Sequence, residues 1–198
     1  MNKRVVIFSV LLIAIFLVFR FCSNKPDQEK VVDQKPSPLS VSQNSAPFTQ
    51  SFANLLQSYY SLKSAFTSGD VAKANSAAAQ LALNADSLNI NELQGDTSGT
   101  IRETAKYFAG TISASAKSIT TNTGVDAKLS DFNMITDALW SLTRTVKFDG
   151  QKVYYHFCPN ALAKQGGYWL SEKIDTQSPY GLKTKCGDVA DSLDYSKK

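Results

Sequence analysis

The sequence predicts an all-α domain, a four-helix up-down bundle, followed by a C-terminal strand and loop flap that carries two cysteines. Apolar side chains recur at steps of three and four in four separate segments between residues 48 and 146, which is the period of an amphipathic helix. Short polar breaks divide the segments, and helices with short connections pack most economically as antiparallel neighbours. The period stops after residue 150, so a different structure is expected there.

The first helical segment begins near Phe48 and ends before Gly69, which suits the left-handed residue that follows many helices. Asp70 is a good N-cap for the second segment. That segment is rich in alanine, so we expect a thin face that approaches its neighbours closely, and it breaks at "NINELQGDTSG", residues 89–99. The expected core positions of these two segments are Phe48, Phe52, Leu55, Leu56, Tyr59, Leu62, Phe66, Val71, Ala74, Ala78, Leu81, Ala85 and Leu88.

The third segment runs from about Thr100 to Thr120 and ends at "TTNTG", and the fourth runs from Leu129 to Val146. Trp140 lies beside the apolar stripe of the fourth segment, where we expect it to pack under the flap. The expected core positions of the two segments are Ile101, Ala105, Phe108, Ile112, Ala116, Ile119, Leu129, Phe132, Ile135, Leu139, Leu142 and Val146.

The C-terminal flap covers about residues 152–190 and completes a domain predicted to span 48–196. Asp149-Gly150 reads as a turn, and "KVYYHF" is β-branched and aromatic, which is typical of a short strand. From Cys158 onward Pro, Gly and polar residues dominate, so we expect loop with a short helical turn at most. The flap is expected to pack on the bundle through Tyr168, Trp169, Leu170 and Tyr180.

The N-terminus, residues 1–22, has the pattern of an export signal. A short basic start precedes the uncharged stretch Val5–Phe19. No small-residue cleavage site precedes Ser23, so residues 5–22 are predicted to anchor the chain in the inner membrane. Lipidation of Cys22 and simple secretion are the alternatives, and all three place the domain outside the cytoplasm. Residues 23–47 are rich in Ser, Gln, Lys and Pro, which predicts a flexible tether.

Two cysteines remain for the exported domain, and their chemistry is open between two hypotheses. Cys158 and Cys186 could form a disulfide, which is common in oxidising compartments. Alternatively, His156 and Cys158 share one face of an extended segment with Tyr154, and a returning Cys186 could complete a metal site. Nitrogen and sulfur ligands of this kind suit Cu(I) or Zn(II).

Other function classes find little support in the sequence. Motifs of hydrolases, nucleotide-binding proteins and zinc peptidases are absent, and the chain has a single histidine, so we expect no enzyme. The net charge of +4 is modest and no face is dense in Lys and Arg. We therefore expect no binding to nucleic acid.

The tail, read as "VYYHFCPNALAKQGGYWLS…SPYG…KCGDV", resembles a domain of unknown function found in bacterial envelope proteins. That domain occurs alone behind an export signal, or attached to periplasmic adaptor subunits of copper/silver-type heavy-metal efflux pumps. Its tail reads tyrosine, Cys-Pro-Met-Ala, glycine, Trp-Leu-Ser, Asn-Pro-Tyr and Cys-Gly, and Asn160 stands here in place of the methionine. The segment "YYSLKSAFTSGDVAKANSAAAQL" resembles its first two helices. The matching tail residues are Tyr155, Cys158, Pro159, Ala161, Gly167, Trp169, Leu170, Ser171, Pro179, Tyr180, Cys186 and Gly187.

The resemblance implies a helical bundle with a cysteine-bearing flap in the periplasm and a link to the handling of copper. The leading hypothesis is a membrane-tethered, non-enzymatic protein that binds metal or serves as an accessory domain of an efflux adaptor or another envelope protein. The alternative is a structural or protein-interaction module with a Cys158–Cys186 disulfide and no metal.

Overall fold

The computed structural model describes residues 44–174, 177–181 and 186–196, and four long helices dominate them. Consecutive helices pack against each other, and a short 3₁₀ turn, Ile90–Glu92, lies between the second and the third. The predicted helical bundle is confirmed. The helices are α1, Ala46–Thr67; α2, Val71–Asp86; α3, Thr100–Thr121; and α4, Val125–Val146.

The folded domain starts earlier than the sequence predicted. Ser45 caps α1 by accepting a hydrogen bond from the Phe48 backbone nitrogen, at 3.3 Å. Asn44 Nδ2 donates to the Val146 carbonyl oxygen, at 3.0 Å, and so ties the start of the domain to the end of α4. The helix therefore begins two residues before the predicted start near Phe48, and residues 44 and 45 contact the domain.

The predicted anchor, residues 5–22, lies outside the described residues, as does the tether up to residue 43. Within the part of the chain that the structure describes, no helix combines the length and the apolar character needed to cross a membrane.

The junction between α1 and α2 follows the expected capping chemistry. Gly69 has a φ of 71°, the left-handed conformation that glycine adopts without steric cost. Asp70 Oδ1 accepts a hydrogen bond from the Lys73 backbone nitrogen, at 2.9 Å. Four alanines on one face of the next helix are buried and form the thin face expected from its composition: Ala74, Ala78, Ala82 and Ala85.

Aromatic side chains fill the space between α1 and α4. The Phe132 ring stacks on Tyr59, with 5.3 Å between ring centroids, and meets Phe66 edge-on at the same distance. Phe52 stacks on Phe148, just beyond α4, at 4.4 Å. All of these residues are buried, so large aromatic side chains make up the core between these two helices.

A buried lysine connects α2, α3 and α4. Lys128 of α4 is 2% exposed, and its Nζ donates to Asn75 Oδ1 of α2 at 2.7 Å and to the Ile119 carbonyl oxygen of α3. Because carbonyl groups at the end of a helix have no partner within it, this ammonium group caps α3 from a neighbouring helix.

The C-terminal region, predicted as a strand and loop flap on an all-α domain, forms a three-stranded antiparallel sheet. The strands are β1, Val153–Cys158; β2, Gly167–Ser171; and β3, Asp188–Leu193, in the order β2-β1-β3. The strand predicted at 152–157 corresponds to β1, but the loop predicted after Cys158 contains two strands. The sequence of β3, "DVADSL", has two aspartates and low strand propensity, and its pairing with β1 decides its conformation.

Candidate functional site: the disulfide-linked sheet

The two faces of the sheet have different surroundings. Side chains alternate along a strand, so Tyr155 and Phe157 lie on one face of β1 and His156 and Cys158 on the other. The Tyr155 ring stacks on Trp140 of α4, with 4.7 Å between ring centroids, which identifies the first face as the one that packs on the bundle. Trp140 is 6% exposed, and its expected position beneath the C-terminal region is confirmed.

Stacked rings continue from this contact across the bundle face of the sheet. The Tyr155 ring also stacks on that of its diagonal neighbour Tyr168 of β2, with 4.7 Å between ring centroids. The ring centroid of Phe157 lies 4.6 Å from that of Tyr168. The Tyr155 hydroxyl donates to Asp137 Oδ1 of α4 at 2.8 Å. Offset ring pairs add about 0.5–1.5 kcal/mol each beyond their buried area, so the sheet and α4 are firmly joined.

A buried tyrosine of α1 joins the sheet to α1 and α4. Tyr59 of α1 accepts a hydrogen bond from the Leu170 backbone nitrogen of β2, at 3.0 Å. Its hydroxyl lies 2.7 Å from Thr136 Oγ1 of α4, and since Thr136 donates to the Phe132 carbonyl, Tyr59 is the donor to Thr136. Burial raises the pKa of Tyr59 far above its usual value, which keeps the phenol protonated and able to donate.

We expect Tyr59→Phe to lower the free energy of unfolding by about 1–3 kcal/mol, because the Leu170 amide and the Thr136 hydroxyl would lose a buried partner. Tyr107→Phe is the matched control, since that side chain is 70% exposed and its loss of a hydroxyl is expected to change little. Chemical denaturation of both variants measures the difference. Equal stability of the two variants would contradict the role given to the buried hydroxyl.

On the outer face of the sheet, His156 and Trp169 form a buried stack. The two residues are cross-strand partners, both are fully buried, and their rings lie 5.3 Å apart with an interplanar angle of 7°. His156 Nε2 lies 2.8 Å from Ser171 Oγ of β2. Tyr180 meets Trp169 edge-on at 6.4 Å, and Gly187 lies directly against the Trp169 ring.

The histidine–serine pair is arranged for structure and not for nucleophilic attack. Ser171 Oγ donates its proton to the Lys173 carbonyl oxygen, so it accepts from His156 Nε2–H. A serine nucleophile needs the opposite direction, with its proton passed to the imidazole. On the outer face of the sheet, hydrogen bonds therefore run from His156 through Ser171 to the Lys173 carbonyl oxygen.

Cys158 and Cys186 form a disulfide, with 5.4 Å between their Cα atoms. Cys158 is the last residue of β1 and Cys186 lies two residues before β3, so the bond joins the ends of two paired strands. The loop that it closes contains the whole of β2. Of the two hypotheses for the cysteines, the structure contains the disulfide.

The three residues of the predicted metal site, His156, Cys158 and Cys186, do not fit a metal ion in this state. Both sulfur atoms are consumed in the disulfide, and the histidine is buried in its stack. In residues 44–174, 177–181 and 186–196, no three His, Cys, Asp or Glu side chains are grouped as metal ligands. The metal hypothesis therefore applies only to the reduced chain, for which it stays a prediction.

Comparison with known proteins locates a family domain in the bundle. Residues 55–150 match the family described as "Protein of unknown function (DUF3347)". Residues 55–150 form a DUF3347 domain. No curated protein and no solved structure matches the chain.

The DUF3347 match covers most of α1, all of the three following helices and the turn after α4. It ends before β1, so the disulfide, His156 and Trp169 lie beyond the matched residues. The sheet nevertheless packs on the DUF3347 domain through Tyr59 and Trp140.

A strained turn connects β1 to β2 next to the bridged cysteine. Leu162, Ala163 and Lys164 have φ values of 50°, 55° and 69°, which is the left-handed region. This conformation costs non-glycine residues roughly 1–2 kcal/mol each. The Gly166 nitrogen donates to the Ala161 carbonyl oxygen, at 3.1 Å, and closes the turn. The predicted short helical turn is present, but its hand is reversed.

We expect Ala163→Gly to raise the free energy of unfolding by about 0.5–1 kcal/mol, because glycine adopts the left-handed region without strain, a gain that its freedom in the unfolded chain partly offsets. Ala79→Gly at an exposed position inside α2 is the matched control. It is expected to lower the stability by about 1 kcal/mol. Thermal melting of the two variants checks the difference in sign, and destabilisation by both would contradict a left-handed turn.

Several residues of the site could not be assigned from sequence. No sequence motif indicates that Ser171 pairs with His156. The hydrogen bond between Tyr59 and Leu170 of β2 joins residues that are 111 positions apart in the sequence. The one usable signal was composition, which predicted that the flap packs on the bundle through a set of residues that includes Trp169 and Tyr180. Both are buried, at 0% and 6% exposure.

Proposed function

We propose that the chain is a membrane-tethered, non-enzymatic protein of the bacterial envelope, and that its DUF3347 domain with the linked sheet acts as an interaction module outside the cytoplasm. The candidate partner is an adaptor of a heavy-metal efflux system, as the resemblance of the tail implies. The Cys158–Cys186 disulfide carries the proposal, because such bonds persist in oxidising compartments and are rare in the cytosol.

Two further observations support a binding role without chemistry. The buried Ser171 donates to a carbonyl and is not activated by His156. The sheet is held at three points, by Tyr59, by the ring stack on Trp140 and by the disulfide, so it presents a rigid surface. Rigid surfaces bind partners with little loss of conformational entropy.

Binding of the purified full-length chain to a purified efflux adaptor tests the proposal by surface plasmon resonance. The oxidised chain is expected to bind, and the Cys158→Ala/Cys186→Ala variant is expected to bind at least tenfold more weakly because its sheet is no longer locked. Cys22→Ala is the matched control and should bind like the parent. Absence of binding by the oxidised chain would reject the adaptor as the partner.

A second candidate function is metal binding by the reduced chain. It is supported by the register of β1, which places His156 and Cys158 on one face with Cys186 adjoining. Anaerobic titration of the reduced full-length chain with Cu(I) or Zn(II) tests it. One bound equivalent that is lost in Cys158→Ser and kept in Cys22→Ser is the expected result, and no uptake of either ion would reject this candidate.

A further inference from the structure

A small cavity lies beside the strained turn. It has a volume of about 360 Å³ and lies between the first turns of α4 and residues 160–165, with Tyr180 in its lining. Ligand cavities commonly measure roughly 300–1,000 Å³, so this one has room for a single side chain or a molecule of similar size.

The polar groups of this cavity can all accept hydrogen bonds, and the only charge among them is negative. They are the Asp126 carboxylate, the Ser130 and Tyr180 hydroxyls and the amides of Asn160 and Gln165. No lysine, arginine or histidine belongs to the lining that the structure describes. The Asp126 carboxylate favours a cationic hydrogen-bond donor in this cavity.

The remaining lining consists of aliphatic side chains and the ring of Tyr180. Leu129 of α4 is buried, Leu162 of the turn is half-buried, and Ala163 lies beside it. Lysine and arginine side chains pack their methylene stems along such surfaces and keep the charged head next to polar groups. The cavity therefore suits a group that has an aliphatic stem and a cationic end.

The turn that forms one wall is fixed before any ligand arrives. Its left-handed residues persist because Cys158 is bridged on one side and Gly166 packs beneath the Phe157 ring on the other. Backbone strain that is held in this way concentrates at ligand clamps and active sites. A fixed wall lowers the entropic cost of binding.

We propose that this cavity receives a lysine or arginine side chain of the partner protein. The proposal rests on the interaction role given above and names the chemistry that the partner must present.

Titration of the ¹⁵N-labelled full-length chain in detergent micelles tests the proposal by NMR. The probe is the peptide acetyl-Gly-Lys-Gly-amide, and the same peptide with norleucine keeps the stem but lacks the ammonium group. The side-chain amide signals of Asn160 and Gln165 are expected to shift saturably with the lysine peptide only. Asp126→Asn should raise its Kd about fivefold, the loss of one partly exposed ion pair. Asp188→Asn on the exposed strand β3 is the control and should leave it unchanged.

Equal affinity for the norleucine peptide, an unchanged Kd in Asp126→Asn, or no saturable shift would overturn the cavity assignment. Failure of the interaction role has a different signature. If the chain binds the adaptor but not the lysine peptide, the cavity proposal fails alone. If the lysine peptide binds at the cavity but no adaptor binds, the adaptor proposal fails and the chemistry of the cavity stands.

Discussion

Replacing Cys158 and Cys186 together by alanine is expected to lower the free energy of unfolding by about 3–4 kcal/mol, because the bond closes a loop with a sequence separation of 28 residues. The effect comes mainly from the unfolded chain, which regains the freedom that the bond removes. For a domain of this size the change corresponds to a fall in melting temperature of roughly 10 °C. Alanine is preferred to serine because Cys158 is fully buried.

Thermal melting with and without a reducing agent provides the control for this prediction. The parent chain is expected to lose stability on reduction, whereas the double alanine variant should melt at one temperature in both conditions. Cys22→Ala should behave like the parent. A parent chain that is insensitive to reduction would contradict a stabilising disulfide at this position.

Gly187→Ala is expected to destabilise the domain by about 3 kcal/mol or more, through a clash in the core and an unfavourable backbone conformation. A Cβ atom at this position would lie 2.1 Å from Cη2 of Trp169. The Trp169 ring has little room to move, since it is fully buried and stacked on His156. The φ of Gly187 is 139°, which side-chain-bearing residues rarely adopt.

Gly181→Ala separates the two causes. Gly181 also has a positive φ, of 69°, but a Cβ atom there would meet nothing within 4 Å among the described residues. Its substitution should therefore cost only the backbone strain, about 1–2 kcal/mol. Urea denaturation of both variants measures the difference, and equal losses would show that Trp169 does not lie against Gly187.

The four helices could be predicted from sequence because each carries its own local signals. Apolar residues recur with the helical period, and Gly69 and Asp70 mark a helix boundary through properties of their own. The start of α1 was placed two residues late because Ser45 follows a polar stretch, and the contacts of Asn44 with the Val146 and Lys147 carbonyl oxygens span more than 100 positions.

The sheet depends on contacts that are distant in sequence, so it was predicted only in part. β1 has a β-branched and aromatic sequence that favours a strand by itself. β3 is largely exposed and has weak strand propensity, and only its pairing with β1 makes it a strand. The cysteine pair was one of two open hypotheses, because spacing alone cannot tell a disulfide from two metal ligands.

The redox state of Cys158 and Cys186 in protein taken directly from the envelope tests the account most directly. Alkylation under denaturing conditions, followed by tryptic digestion and mass spectrometry, reads each thiol separately. Cleavage after lysine yields "VYYHFCPNALAK", residues 153–164, and "CGDVADSLDYSK", residues 186–197. The account predicts that the two peptides are linked and unalkylated before reduction, and separate and alkylated after it. Full alkylation of both without reduction would contradict the account.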